Sequence, residues 1–153
     1  MDLNRTPDMA RIQIEVPKHF VFKTELSVYV GHLNYGNHLD NALLLSLVSE
    51  ARLRFFKSIG YTELDIEGVG IVVSDVAVQY ISEAFHADTL VVSMTPNDFL
   101  PKGCDLVWTL HEKTSGREVA RGKTGIVFFD YTHKKPVHVP ASFVEKVNRL
   151  PLA

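Results

Sequence analysis

Residues 31–61 read GHLNYGNHLDNALLLSLVSEARLRFFKSIGY, and this stretch restricts the fold more than any other. Its first nine residues hold two Gly and two Asn, which break regular structure. Beyond Asp40, a residue suited to capping, the apolar positions Leu43, Leu44, Leu45, Leu47, Val48, Ala51, Phe55, Phe56 and Ile59 predict a helix over about 41–58, ending near Gly60. They cover more than one stripe, so the expected helix is buried on most sides. Ser46, Ser49, Glu50 and Lys57 form its polar stripe.

What surrounds this helix reads as sheet. Residues 19–30 alternate, with Phe20, Phe22, Leu26, Val28 and Val30 on one side. Further strands are expected over 71–81, 89–95, 105–113 and 118–130. Breaks fall at Pro96-Asn97-Asp98 and Pro101-Lys102-Gly103, and Thr114-Ser115-Gly116 is a hairpin signal. Ala120, Gly122, Thr124 and Ile126 share one face, small enough for a helix to approach closely. Residues 133–140 read as a loop and 141–149 as a short terminal helix. The order strand, long helix, four strands predicts an α+β fold with a mainly antiparallel sheet of about five strands, curved around the helix. Residues 1–17 are expected to form an N-terminal arm and 18–153 a single domain, as suits 153 residues. The apolar surface left by so small a wrapped sheet points to a homodimer or homotetramer.

Several function classes fall away. The net charge of −2 gives no basic field for nucleic acid. The longest apolar runs, such as 42–45, are far short of a membrane span. The first 17 residues lack the pattern of a signal peptide, and Cys104 is the single cysteine, so a cytoplasmic location is expected. Cys104 reads as an ordinary strand residue. The seven His show no HExxH or comparable spacing, and no GxGxxG or Walker A loop occurs, so no metal and no cofactor are expected.

The order of elements, Asn34-Tyr35-Gly36-Asn37-His38-Leu39-Asp40-Asn41 and Glu50-Ala51-Arg52 together resemble the hot-dog-fold acyl-CoA thioesterases of the 4-hydroxybenzoyl-CoA thioesterase group. That family carries Asp-x-x-x-Gly-His-x-Asn-Asn before a helix ending in Glu-Ala-Arg. Ala120-Arg121-Gly122-Lys123, Val127-Phe128-Phe129-Asp130 and the Lys134-Lys135-Pro136 to Pro140 region resemble its closing strand and tail. The resemblance covers about residues 19–149. It implies hydrolysis of an acyl-CoA thioester to acid and CoA, with CoA entering only as part of the substrate.

Such chemistry needs a donor for the developing oxyanion and a carboxylate or His to attack or to activate water. The resemblance puts the donor at a backbone N–H near Asn41, where a helix start offers free amides. It puts the usual loop carboxylate at Asn34, whose amide is no carboxylate base. Asp40 and Glu50 are the remaining acids of the stretch. They are ten residues apart, about 15 Å along one helix, and do not form a close pair in one chain. In part of the family the helix acid of one subunit faces the helix start of another, which is the role the resemblance offers Glu50. Its other reading is a structural acid paired with Arg. For Asp40 the first reading is an N-cap, and a direct catalytic role is the other. His38, in the family's His position, orients water or braces the loop, and His32 is a weaker match. Arg54, Lys102, Lys123, Lys134 and Lys135 are the cations available for CoA phosphates. The replacement at Asn34 keeps a non-catalytic acyl-CoA- or lipid-binding protein of the same fold as an alternative. A dehydratase and a purely structural protein are the others.

Overall fold

The computed structural model describes residues 11–153. Strand β1 spans Phe22–Ser27, helix α1 Leu44–Ser58, and strands β2 to β5 Gly70–Tyr80, Thr89–Leu100, Gly103–Glu112 and Glu118–Asp130. A two-residue strand β6, Lys135–Pro136, and helix α2, Ala141–Asn148, complete the chain. The sheet runs β1-β3-β4-β5-β2, with β6 on β5, and each of these pairings is antiparallel. Strands β1 and β2 are neighbours in sequence yet occupy opposite ends of this order. The chain therefore crosses the sheet through α1, and this is the expected hot-dog arrangement.

The core lies between α1 and the inner sheet face. Leu44, Leu47, Val48, Ala51, Phe55 and Phe56 are its buried helix positions. Their spacing follows one face, and Leu43 and Leu53 are exposed. The helix is thus buried along one stripe in the protomer, not on most sides as expected. Burying each large side chain contributes roughly 1.5–3 kcal/mol. Leu26 and Val28 face the core from β1 and its extension, Leu90, Val92 and Met94 from β3, Leu106, Trp108 and Leu110 from β4. At the far end of α1, Phe143 of α2 packs against Phe56, Tyr61 and Phe128. Gly60, at φ 87°, ends α1 in the left-handed conformation that glycine adopts freely, and the Tyr61 amide returns to the Phe56 carbonyl.

Four further sequence expectations need correction. Strand β1 is shorter than 19–30: the chain leaves the sheet after Ser27, turns through a single 3-10 turn at Val30–His32, and exposes Tyr29 and Val30. Helix α1 starts at Leu44, because 41–43 form a tighter turn. Strand β3 runs through Pro96 and Asn97, which pair with Leu106 and Asp105. The irregularity lies between Asn97 and Leu100, with Asp98 at φ 48°. The space above Gly122 is filled by the Trp108 ring of the adjacent strand rather than by a helix. A Cβ there would lie 2.4 Å from Trp108 Cζ2. Of the expected N-terminal arm, residues 1–10 lie outside the described residues. In the rest, Ile14 is buried, its amide donates to Gln79 Oε1, and Arg121 donates to its carbonyl.

Candidate functional site

The loop before α1 folds back on itself. Leu33 bridges Leu39, the Asn34 amide donates to the His38 carbonyl (3.0 Å), and the Asp40 amide donates to the His32 carbonyl (2.8 Å). Asn37 takes the left-handed position at its tip, φ 59°, a conformation Asn tolerates better than most residues. The loop docks on the link between β2 and β3. The Leu39 amide donates to the Ala84 carbonyl (2.8 Å), and His38 bridges Phe85. Residues some 45 positions apart in sequence are thereby fixed side by side.

Between them lies a cavity of about 370 Å³. Asn34, His38, Asn41 and Leu44 line it from the loop and helix, and Tyr80 to Ala84 with Val119 from the sheet. The structure thus brings together three of the five residues singled out from sequence. Asn34 Oδ1 accepts from the Gly36 amide (2.9 Å), which fixes the amide's orientation and leaves its NH₂ as a donor. A Cβ at Gly36 would sit 2.6 Å from His38 Nε2 and 3.3 Å from Asn34 Oδ1, so a larger residue there would displace the His38 ring. His38 Nδ1 lies 3.4 Å from the Leu39 carbonyl, which can only accept, so in the neutral ring the hydrogen is assigned to Nδ1 and the lone pair to Nε2.

The helix start has one free amide. Asp40 Oδ1 accepts from Ala42 N (2.8 Å) and Leu43 N (3.0 Å), and the Asp40 carbonyl accepts from Leu44 N (2.9 Å). Asp40 therefore caps the turn, one of its two expected readings. Among the described residues no acceptor takes the Asn41 amide. The Tyr80 hydroxyl donates to the Asn41 carbonyl (2.7 Å) and so fixes the next peptide plane. Burial, and then the charge of Asp40, raises the Tyr80 pKa, which keeps the phenol protonated as a donor.

Glu50 lies elsewhere. It shares a separate cleft with His32, Ser46 and Arg54, between β1 and α1. Its Oε1 accepts from Arg54 Nε (2.8 Å), and Arg54 Nη1 donates to Thr24 Oγ1 and the Glu25 carbonyl. His32 Nδ1 accepts from the Tyr29 amide (3.0 Å). Within one protomer, then, Glu50 is paired with Arg and apart from Asn34, His38 and Asn41. None of the five cations considered for CoA phosphates lines the cavity. Arg54 is engaged as above, Lys123 pairs with Asp105 (3.2 Å), Lys102 borders another hollow, and Lys134 and Lys135 are exposed, the one just before β6 and the other within it.

The sequence did not point to Tyr80, Ser82 or Glu83. They form no motif with the loop; the pairing of His38 with Phe85 and the bond from the Leu39 amide to the Ala84 carbonyl place them there. Glu83 Oε1 lies 3.8 Å from His38 Nε2. Arg117 Nη1 donates to Ser82 Oγ (2.6 Å) and to the Glu83 carbonyl, which anchors this segment. Cys104 is buried away from the cavity, and burial pushes its thiol up to about 12, with Asp105 adding to the effect. Among the described residues no group of three His, Cys, Asp or Glu is gathered to hold a metal. Nor is any helix among them long and apolar enough to cross a membrane.

Comparison with known proteins agrees with this architecture. No curated protein matches the chain significantly. Among solved structures, a 1,4-dihydroxy-2-naphthoyl-CoA thioesterase from Synechocystis superposes with a TM-score of 0.76 at 17% identity, over 84% of this chain and 96% of that one. A Staphylococcus aureus protein in complex with CoA gives 0.75 at 18%, over 91% and 87%. A thioesterase from Thermus thermophilus, complexed with coenzyme A and Zn, gives 0.75 at 22%, over 88% and 97%. At such identities the likeness speaks for the fold. The family model for the thioesterase-like superfamily matches residues 28–147, most of the chain and all of the loop, helix and sheet that build the cavity. The chain belongs to the thioesterase-like superfamily, with the hot-dog fold.

Proposed function

We propose that this protein hydrolyses an acyl-CoA thioester to the free acid and CoA at the cavity before α1. The observation that carries the reading is the Asn41 amide: it has no acceptor among the described residues, and it belongs to a cavity-lining residue in the turn that leads into the 15-residue helix α1, whose start is the positive end. A thioester oxygen accepting from this N–H gains most as negative charge builds on it in the tetrahedral state, which is the condition for catalysis rather than mere binding. The free NH₂ of Asn34 is a second donor to the same carbonyl or to water. Binding of CoA by relatives of this fold supports a CoA ester as the substrate.

We read the working unit as a homo-oligomer. Strand β2 is a sheet edge, and Val73, Val76 and Tyr80 on it are exposed. Pairing two such edges would extend the sheet.

The test is steady-state hydrolysis of short, medium, long and aromatic acyl-CoAs, followed with a thiol reagent. Asn41→Ala keeps the N–H and is expected to retain the rate within about threefold. Asn41→Pro deletes the N–H at a position where helices tolerate proline, and is expected to lower kcat by about 10²–10³. Absence of turnover on every acyl chain overturns the reading. Tight CoA-ester binding without turnover would instead assign a binding protein, the alternative that Asn34 keeps open.

A further inference from the structure

The cavity holds an oxyanion donor and no loop carboxylate, because the position of the family's acid is Asn34. Another acid enters the same cavity from the opposite wall. Glu83 Oε1 stands 3.8 Å from His38 Nε2. Both belong to segments fixed independently of each other's side chains. His38 is set by the Leu39 carbonyl and the clearance at Gly36, and Glu83 by Arg117 on its own carbonyl and on Ser82. Among the described residues His38 is the one basic partner of the Glu83 carboxylate. The separation is too long for a direct hydrogen bond and short enough for one water to donate to both.

Resting on the thioesterase reading above, we propose that Glu83 and His38 form the catalytic pair of this site, supplying from the β2–β3 link the negative charge that Asn34 lacks. The water held between them gives its proton to His38 Nε2 as its oxygen bonds to the acyl carbon. The carbonyl π pair moves onto oxygen, where the Asn41 amide receives it. Collapse of the tetrahedral intermediate breaks the C–S bond, the electron pair leaves on sulfur, and the imidazolium returns the proton to the CoA thiolate. The products are the carboxylic acid and CoA thiol. Glu83 acts twice: it holds the water in the ground state, and it pairs with the imidazolium once the proton has moved. The second interaction exists only beyond the ground state, so it accelerates the reaction. Side-chain exposure of 62% for Glu83 and 32% for His38 places the pair at the cavity mouth, where a bound acyl thioester would cover it.

The experiment measures kcat and KM for Glu83→Gln, His38→Asn and the double variant on whichever acyl-CoA the wild type turns over best, with thermal melts as a folding control. Each single variant is expected to lose at least tenfold in kcat with KM within threefold. The double variant is expected to be no more than threefold slower than the slower single one, because the two groups act on one water. A smaller loss in either single variant, or multiplicative losses in the double variant, overturns the pair while leaving the thioesterase reading intact. No turnover by the wild type overturns both. A crystal structure with a non-hydrolysable CoA thioether ketone gives a reading free of turnover. A water bound to both His38 Nε2 and Glu83 Oε1 is expected beside the ketone carbon, and Glu83 turned out of the cavity refutes the assignment.

Discussion

Asp40 has two readings, a carboxylate that acts on substrate and a cap that builds the amide-bearing turn, and one pair of substitutions separates them. Its Oδ1 accepts from two amides of the first turn, at 2.8 and 3.0 Å. Asp40→Ala removes that acceptor and leaves both N–H groups to water. Loss of a capping side chain costs about 1 kcal/mol, within roughly 0.5–2. Removing a negative charge from the helix start adds about 0.3–1 kcal/mol. The expected total is about 1–2 kcal/mol, or a fall in Tm of roughly 2–8 °C for a domain of this size at fixed protein concentration. Asp40→Asn keeps the cap oxygen and loses only the charge, so its cost is about 0.3–1 kcal/mol and its kcat is expected to stay within about threefold. Thermal or urea unfolding, alongside hydrolysis of the best acyl-CoA, measures both effects. If Asp40→Asn lowers kcat by more than tenfold, about 1.4 kcal/mol, with an unchanged Tm, Asp40 takes part in the chemistry and the capping account is refuted. An unchanged Tm in Asp40→Ala refutes it equally.

Three further outcomes are expected. The Glu112 carboxylate accepts from the Ser115 hydroxyl and the Thr114 and Ser115 amides of the β4–β5 hairpin, and these bonds, the Ser115 side chain first, hold its pKa down to about 2. A pKa lowered on folding stabilises above the unfolded value and ceases to do so as pH falls through the folded one. The Tm difference between wild type and Glu112→Gln should therefore be full above about pH 4.5 and vanish towards pH 2; a difference independent of pH would contradict the hairpin account. The single tryptophan, Trp108, donates from Nε1 to Thr124 Oγ1 (3.1 Å) in the fully buried core, so Thr124→Val strands a buried N–H and should cost roughly 1–3 kcal/mol, read from unfolding curves by intrinsic fluorescence. Cys104, buried and with its pKa raised to about 12, should not react with a thiol reagent at pH 8 until the protein unfolds, when one equivalent should appear; fast labelling of the native protein would show that the strand around it opens.

The sequence carried the fold because its signals are local and periodic. Alternation marked strand β5 at its observed bounds, and the spacing of Leu44, Leu47, Val48, Ala51, Phe55 and Phe56 marked α1 with Gly60 just beyond it. It overstated the burial of that helix, since a leucine such as Leu43 counts as apolar wherever it points, and only packing tells which face meets the sheet. It also took Pro96 for a break, although β3 accommodates it opposite Leu106. The site was legible as far as the loop and helix start reach. Asn34, His38 and Asn41 line one cavity, and Asp40 sits where a cap belongs.

What the sequence by itself determined was therefore the buried helix, the polar loop before it, and the residue types available there, down to the missing acid at Asn34. What only the tertiary structure decided was which distant residues share that space. Glu83 has no periodicity, motif or spacing that ties it to His38. The two meet because the Leu39 amide bonds to the Ala84 carbonyl and closes the loop onto the β2–β3 link. The same geometry sets Glu50 apart, since the turn and the helix between them carry it about 15 Å from the cap at Asp40. Local chemistry is written along the chain, whereas the meeting of side chains across the sheet depends on a register that exists only once the chain has folded.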